Sequence, residues 1–348
     1  MNIAFFRYSL FNRGGDRLSL AYANHLASIG HDVTLYVKEL ETVFDTSPFL
    51  KIKRVPCSGR IGCLYYAATH CLGHDVVIVD IIHLHCLLSR HNRVIYYAQA
   101  DDIEYYDNFM VRALIDCLYR IHFYKRNPMI SMSQHLSDIF VKRYRGIEIS
   151  TLTTGIDHNL FYPDADPELV HLKGLKKAIV FMLRGDSYRK GIDVAMSLFS
   201  LIDADMAEKM ELWVCGESLA EDMFRFTVRN FGVISDERLR QLLSSADIFL
   251  YPSRHEGFGL FPLEAMACGC VAVTTAAIPY AENTPSMLVS PIGSLTDLKE
   301  NLQRVVFDSS FLERSRVKAF QDASLYDFEK SKFAFEAAVK AITHGFDA

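Results

Sequence analysis

The 348-residue sequence has no CxxC pair among its eight cysteines, no G-x-G-x-x-G element, no internal repeat and no low-complexity tract. The scattered cysteines read as reduced, mostly packed thiols of a cytosolic protein, not as a disulfide framework or a zinc site. Without the glycine fingerprint an NAD-dependent enzyme is a poor reading. Long apolar runs are missing too. Arg7 interrupts the first run too early for a secretory leader, and VVIVDIIHLHCLL contains Asp80, His83 and His85. Neither stretch reaches the roughly 18 to 20 apolar residues of a membrane span. Nor is there a surplus of positive charge: 42 acidic against 37 basic side chains leave a net charge of -5, which argues against a dedicated nucleic-acid binder. The imbalance is uneven, with 17 Lys+Arg against 16 Asp+Glu in residues 1–165 and 20 against 26 in residues 166–348.

At about 150 residues per domain the length suggests two domains. Short β-branched or aromatic runs alternate with amphipathic stretches, the pattern of parallel sheets covered by helices. Asn2 to Phe6 reads as the first strand, Gly14-Gly15 as a turn, and Arg17 to Ile29 as a helix with Leu18, Ala21, Tyr22, His25 and Leu26 at helical spacing. HDVTLYV, DVVIVDI, RVIYYA and PMISMS follow as strands whose continuous apolarity fits burial on both faces. Residues 158–176 carry prolines and charges and read as a linker. A second series follows, with AIVFML, ELWVCG, DIFLYPS and AVTT as strands, then a loop at 308–325 and a closing helix in LYDFEKSKFAFEAAVKAI that could pack on either domain. Two consecutive doubly wound domains imply a cleft between the carboxyl ends of their sheets.

The most informative segment is SRHEGFGLFPLEAMACGC, Ser253 to Cys270, where a strand gives way to a Gly-containing loop and a helix beginning near Pro262. Gly257 and Gly259 let the backbone approach a ligand closely, and the amides of Gly257, Phe258, Gly259 and Leu260, with the positive end of the helix, suit a phosphate. Glu264, placed in the first helical turn, would repel phosphate but can accept hydrogen bonds from a diol such as a ribose. Glu256 lies eight residues earlier, at the strand end. A plain strand-to-helix connection with Glu264 facing the helix dipole is the competing reading. In LRGDSYRKG, Arg184 ends one strand and Lys190 precedes the next helix, so both cations can converge on one diphosphate; a solvated charge run is the bland alternative, and Arg189 is a third basic candidate. In the first half, Gly14-Gly15 sit where strand gives way to helix, and Asp16 and Arg13 either meet a substrate or cap the helix.

In combination, NRGGDRLSLAYANHLASIGHDVTLYV, TTGIDHNLFYP, RGDSYRKG, LWVCGE and ADIFLYPSRHEGFGLFPLEAMACG closely resemble the family 4 retaining glycosyltransferases of GT-B fold, over nearly the whole chain and in the family's order. The most specific part is the E-x7-E signature, Glu256 to Glu264. The resemblance implies two Rossmann-like domains, residues 1–160 for the acceptor and 161–325 for a nucleotide-diphosphate sugar, with a helix at 326–348 crossing back to the first. It makes Arg184 and Lys190 the diphosphate-binding pair, Glu264 the ribose-binding carboxylate and Glu256 the carboxylate facing the donor sugar. Backbone at Gly257 to Leu260 would contact sugar and phosphate, and Gly14-Gly15 would lie near phosphates and acceptor. No metal or other cofactor is implied.

Some positions depart from the pattern. Many members carry a His after the strand matching RVIYYA, where this chain has Gln99, Asp101 and Asp102. These are acceptor-side candidates, although surface acids in a loop are the commoner case for the two aspartates. The usual Asn-Gly pair is Thr154-Gly155. His83 and His85, two apart on an expected strand end, would point the same way as a metal pair does, without a third ligand at matching spacing. Cys268 and Cys270 read as small buried thiols. The segment 111–128 interleaves Leu114, Leu118, Ile121 and Phe123 with Arg112, Arg120, Lys125 and Arg126, either an ordinary helix with a solvated basic face or a surface for an anionic membrane. The expected activity is retaining sugar transfer to a glycan, lipid-linked or small acceptor in cell-envelope polysaccharide synthesis, in the cytoplasm or at the inner face of the membrane. A GT-B nucleotide-sugar epimerase, a phosphorylase and a non-catalytic nucleotide-sugar-binding subunit are the alternatives.

Overall fold

The computed structural model describes residues 1–11, 13–42, 44–144, 146–185 and 187–346. The chain divides into two compact units, Met1–Thr153 with Glu329–Ala348, and Thr154–Phe328. In the first, chain order runs β1 (Asn2–Leu10), α1 (Gly14–Ser28), β2 (Asp32–Leu40), β3 (Lys51–Arg54), α2 (Gly59–Thr69), β4 (Val76–Val79), α3 (Ile82–Leu88), β5 (Val94–Ala98), α4 (Phe109–Tyr124), β6 (Met129–Ser131), α5 (Gln134–Arg143) and β7 (Ser150–Thr151). The second holds α6 (Pro167–Lys173), β8 (Lys177–Leu183), α7 (Ile192–Ser200), α8 (Ala204–Lys209), β9 (Met210–Gly216), β10 (Thr227–Gly232), α9 (Asp236–Ser245), β11 (Ile248–Tyr251), α10 (Leu260–Ala267), β12 (Val271–Thr275), β13 (Leu288–Ser290), α11 (Leu295–Phe307) and α12 (Ser309–Ala323). The closing helix α13 (Phe328–Gly345) belongs with the first unit from Glu329 onward.

Among the described residues the sheets have the orders β3-β2-β1-β4-β5-β6-β7 and β10-β9-β8-β11-β12-β13. Neighbouring strands are parallel throughout, as the unbroken apolarity of VVIV and AIVFML anticipates for strands covered on both faces. In each sheet the chain first builds outward on one side and then returns to build on the other. The reversal falls between β1 and β4 in the first unit and between β8 and β11 in the second. Ligands of open parallel sheets bind beyond the carboxyl ends of the strands at such a reversal. That rule directs attention to the loops after β1, β4, β8 and β11.

Helix α13 is tied to the first sheet by Phe335, fully buried and stacked on Tyr22 at 4.2 Å between ring centroids, with Tyr97 at 5.3 Å edge-on. Removing a buried ring of this kind costs about 3–5 kcal/mol. The Tyr22 and Ser331 hydroxyls hydrogen-bond at 2.6 Å, and Glu336 lies 3.9 Å from His25 and 3.7 Å from His31. Where the chain passes between units, Ile156 pairs with Asp327 in a parallel bridge; a Cβ on Gly155 would stand 2.4 Å from the Asp327 carbonyl carbon, so this crossing admits only glycine.

Several local expectations change. Gly14 and Gly15 are the first residues of α1 and not a turn before it. The 158–176 linker contains α6, with Pro167 at its first turn and the Asp166 carboxylate accepting from the Glu168 amide. The 308–325 loop is helix α12, capped by Asp308 on the Phe311 amide.

Candidate active site

In the second unit the loop after β8 and the loop after β11 are laced together. Gly191 has φ +67°, and a Cβ there would lie 2.0 Å from the Pro252 carbonyl oxygen, so the approach requires glycine. The Arg254 amide donates to the Arg189 carbonyl at 2.8 Å, and the Arg254 guanidinium grips Asp193 in a bidentate pair at 2.6 and 2.7 Å. At the inner end of this seam Lys190 Nζ meets Glu256 Oε1 at 2.7 Å and the Tyr251 hydroxyl at 2.9 Å, while Ser253 Oγ donates to Glu256 Oε1 at 2.7 Å. Burial alone would raise the pKa of Glu256, but the Lys190 charge and the hydrogen bonds of Lys190, Ser253 and Tyr251 outweigh it, and the carboxyl is held below its ordinary range. Glu256 is thus a buried anion with its cation attached. Arg184, the residue after β8, lays its guanidinium carbon 4.7 Å from the Phe261 ring centroid.

Helix α10 starts at Leu260, two residues before Pro262, with Gly259 as its N-cap in the left-handed region (φ +86°). Pro262 therefore stands third in the helix, still within the turn whose amides lack helical partners, and Glu264 falls in the second turn, not the first. Glu264 is 2% exposed. Phe258 is buried against Tyr280 at 5.0 Å, so its contribution to a ligand is its backbone; the Tyr280 hydroxyl bonds the Gly259 carbonyl and fixes the turn. The structure thus gathers Arg184, Lys190, Glu256 and the start of α10 at the β8/β11 reversal. Two cations, a row of helix-terminal amides and a fixed carboxylate can together hold a phosphorylated, polyhydroxylated ligand.

The first unit has a different electrostatic plan at its β1/β4 reversal. Arg7, near the end of β1, bonds Asp16 Oδ1 at 2.6 Å and Asp80 Oδ2 at 2.9 Å, and Asp16 Oδ2 accepts the Phe11 amide at 3.0 Å. Asp16 is 2% exposed and acts as an Arg7 ligand, with Arg13 only 3.8 Å away. Gln99, after β5, donates to the Gly15 carbonyl at 3.1 Å and to Ser19 Oγ at 2.6 Å; a Cβ on Gly15 would meet the Gln99 amide oxygen at 2.2 Å. Gly15, Asp16 and Gln99 are therefore one cluster around Arg7. Asp101 and Asp102 are not surface acids: they are 1% and 7% exposed. Asp101 pairs with Arg143 at 2.6 Å and accepts the Ile103 amide, while Asp102 accepts the Ile82 amide at 2.7 Å at the start of α3.

Residues 169–286 match the family model described as glycosyl transferases group 1. The match covers about a third of the chain and lies within the second unit. Mannosylfructose-phosphate synthase of Agrobacterium fabrum is 24% identical over 319 residues, 74% of this chain and 69% of that protein. The phosphatidyl-myo-inositol mannosyltransferase of Propionibacterium freudenreichii is 31% identical over 41% of this chain. The chain spans only 37% of that relative and 19% of the Escherichia coli mannosyltransferase WbdA. Among solved structures, sucrose-phosphate synthase from Thermosynechococcus elongatus superposes with a TM-score of 0.79 at 16% identity, covering 99% of this chain and all of that one. Anabaena HepE, solved with UDP and glucose, gives 0.74 at 15% identity, covering 98% of this chain and 100% of that one. The fold is GT-B.

Sequence reasoning missed Arg7, Asp80 and Ser19; Arg7 lies on β1 and Asp80 just beyond β4, the two strands that flank the sheet reversal, whereas Ser19 lies within α1, the helix that follows β1. His83 and His85 lie on α3, not on a strand, so their side chains diverge. His83 meets the Tyr8 hydroxyl at 3.0 Å, while His85 is fully buried with its ring 4.5 Å from that of His122, and burial lowers it to about 4. No group of three potential metal ligands occurs among the described residues. Cys268 and Cys270 are buried, and burial pushes the Cys270 thiol up to about 12.

Burial, and then the charges of Asp80 and Asp101, push Asp102 up to about 8 against the opposing hydrogen bonds from the Ile82 amide and the Tyr96 side chain. A carboxyl raised in the folded state stabilises at acid pH; its contribution is complete below the ordinary value of 3.8 and is lost as pH climbs through about 8. Asp102→Asn keeps an acceptor for the Ile82 amide and abolishes the titration. Urea unfolding at pH 5 and pH 8 should show the variant gaining on the wild type at the higher pH; a difference independent of pH would remove Asp102 from the account.

Proposed function

We propose that the protein is a retaining hexosyltransferase that moves a sugar from a nucleotide-diphosphate donor to a hydroxyl of a cell-envelope glycan or lipid-linked acceptor. The observation that carries this is the meeting of Lys190 and Glu256 at the β8/β11 reversal, beside Arg184 and the start of α10. On this reading Arg184, Lys190 and the amides of Gly257 to Leu260 bind the diphosphate, Glu264 the ribose hydroxyls, and Glu256 the donor sugar. In the transfer the bond from the anomeric carbon to the β-phosphate oxygen breaks and a bond to the acceptor oxygen forms on the same face. The acceptor proton passes to the departing phosphate oxygen, leaving nucleoside diphosphate and the glycoside. The two cations neutralise the charge that develops on the diphosphate, the role a metal ion serves elsewhere, so no cofactor is called for.

The acceptor is assigned to the first unit, through Gly14, Gly15, Asp16 and Gln99. Because Arg7 is neutralised by two carboxylates, this cluster suits hydroxyl groups better than a second phosphate. Asp101 and Asp102, committed to Arg143 and to backbone amides, orient the segment that carries Gln99 and make no direct contact with acceptor. The hexosyl donor is supported by relatives named as mannosyl and glucosyl transferases, and the envelope acceptor by those named for lipopolysaccharide and phosphatidyl-inositol glycosylation.

No helix among the described residues is long and apolar enough to cross a membrane. Helix α4 nevertheless turns an apolar stripe to solvent: Met110, Leu114, Ile121 and Tyr124 are 70, 60, 41 and 90% exposed, with Phe109 at 77%. Arg112, Arg120, Lys125 and Arg126 flank it. This face is assigned to the anionic inner leaflet, where a lipid-linked acceptor would be met.

Lys190→Ala and Glu264→Ala should lose nucleotide binding, measured by thermal shift with UDP, GDP, ADP and dTDP and their sugars, where saturation at 100 times Kd adds about 2.7 kcal/mol to stability. Glu256→Gln should lose about 10²–10³ in turnover with little change in nucleotide affinity. Transfer at the wild-type rate by Lys190→Ala and Glu256→Gln would refute the assignment. In flotation assays the protein should rise with anionic vesicles and release in high salt, and a Leu114→Glu, Ile121→Glu variant should not rise. Equal recovery of wild type and variant would rule the membrane face out.

A further inference from the structure

The loop that carries the candidate phosphate amides is held at both ends by one short stretch of chain, the end of β12 and the residues that follow it. Thr275, the last residue of β12 and fully buried, donates its hydroxyl to the Ser253 carbonyl at one end of the loop. Tyr280 donates its hydroxyl to the Gly259 carbonyl at the other. Between them Ile278 closes on the glycine: a Cβ on Gly259 would stand 3.1 Å from Ile278 Cδ1, with Glu256 Cγ at 3.7 Å. Tyr280 itself has little freedom. It is 4% exposed, and its ring packs on Phe258 at 5.0 Å and on Tyr326 at 5.2 Å between centroids. The Thr284 hydroxyl donates to the Tyr280 carbonyl at 2.9 Å. Burial, and then the neighbouring Glu256, Tyr326 and Glu264, raise the phenol far above its ordinary range, so it remains a donor.

The peptide that joins Gly259 to Leu260 is planar and trans, so its carbonyl and its N–H point in opposite directions. Holding the Gly259 carbonyl on the Tyr280 hydroxyl therefore sets the direction of the Leu260 N–H, which leads away from that hydroxyl. Leu260 is the first residue of α10, where an amide has no acceptor within its own helix. Gly259, at φ +86° and ψ 68°, would by itself leave this plane free to turn, because no Cβ restricts it. Resting on the nucleotide-sugar reading of this site, we infer that Tyr280 is a positioning residue that aims the Leu260 amide at a donor phosphate by holding the Gly259 carbonyl. It touches neither the substrate nor the reacting atoms. Two tasks are thereby separated: glycine permits the close turn, and a hydroxyl from the segment after β12 fixes which way the next peptide faces. An amide aimed before the ligand arrives need not be reoriented on binding, the property that makes a donor effective against developing charge.

The test compares the nucleoside diphosphates UDP, GDP, ADP and dTDP with the corresponding nucleosides, in ligand-observed NMR titrations of the full chain. Tyr280→Phe keeps the ring contacts and removes only the hydroxyl. It should weaken the bound diphosphate by about 10-fold, most of one hydrogen bond to a charged group, and leave affinity for the nucleoside unchanged. Tyr326→Phe removes a neighbouring hydroxyl, 3.3 Å from Thr284 Oγ1, and should leave both affinities at the wild-type value. In wild-type protein carrying isotope-labelled leucine, the Leu260 amide proton should move downfield with diphosphate and not with nucleoside. Undiminished diphosphate binding by Tyr280→Phe would overturn the positioning role while leaving the functional reading intact. Equal weakening of diphosphate and nucleoside would also overturn it, as the signature of general damage to the loop, and so would an equal loss in Tyr326→Phe. A Leu260 amide that does not respond to a bound diphosphate in the wild type would overturn it without any variant. A wild-type protein that binds none of the four diphosphates would overturn both the positioning role and the reading it rests on.

Discussion

The ion pair between Lys190 and Glu256 is the constraint on which the second unit's site is built. It joins two loops that emerge from adjacent strands, β8 and β11, and does so where the sheet order reverses. Ordinary side chains would keep the loops apart; Gly191 against Pro252 permits the approach, and the Arg254 contacts to Arg189 and Asp193 hold it. Inside the seam a buried carboxylate would ordinarily neutralise itself by taking up a proton. The lysine, Ser253 and Tyr251 keep it charged instead. Removing either partner leaves an uncompensated charge in a water-poor place, a change that typically costs about 3–5 kcal/mol. The pair is therefore both a structural clasp and a store of two opposite charges that a polar ligand can separate.

The first unit uses the same sheet geometry to the opposite electrostatic end. Arg7 also sits at a reversal, but Asp16 and Asp80 surround it, and Gln99 with Ser19 close the glycine start of α1 over it. A cation satisfied twice over has little left for a phosphate. The half with the larger acidic surplus is nevertheless the one proposed to bind the diphosphate. Net charge is set by the solvated surface, whereas anion binding is set by a few groups brought to one place.

Much of the second unit was legible in the sequence because its informative residues are close in the chain: Glu256, the glycines and Glu264 span nine residues, and their order dictates a strand, loop and helix. The exact start of α10 was not, since a proline permits three positions in the first turn and its presence does not choose among them. The polar helix α12 escaped because its buried face has one leucine, Leu312, followed by the small residues Ser315, Ala319 and Ala323, which give no strong apolar stripe. The run VVIVDIIHLHCLL hid a strand-to-helix change at Asp80 because the residues next to it, Val79, Ile81 and Ile82, are apolar and fit either period. Asp101 and Asp102 looked like surface acids because nothing near them in sequence announces Arg143 or the Ile82 amide as partners. Edge strands such as KIKR of β3 and the two residues of β7 have no hydrophobic alternation to detect. Each miss is a case in which a contact distant in sequence, not local propensity, decides the structure.

The central claim is that a nucleoside diphosphate binds at the β8/β11 reversal of the second unit. Hydrogen–deuterium exchange measured with and without saturating nucleoside diphosphate addresses it directly. The account predicts slowed exchange in the segments 183–191 and 252–264, with the amides at the start of α10 among the most protected. Protection confined to the first unit, or unchanged exchange in both segments with a diphosphate demonstrably bound, would contradict it.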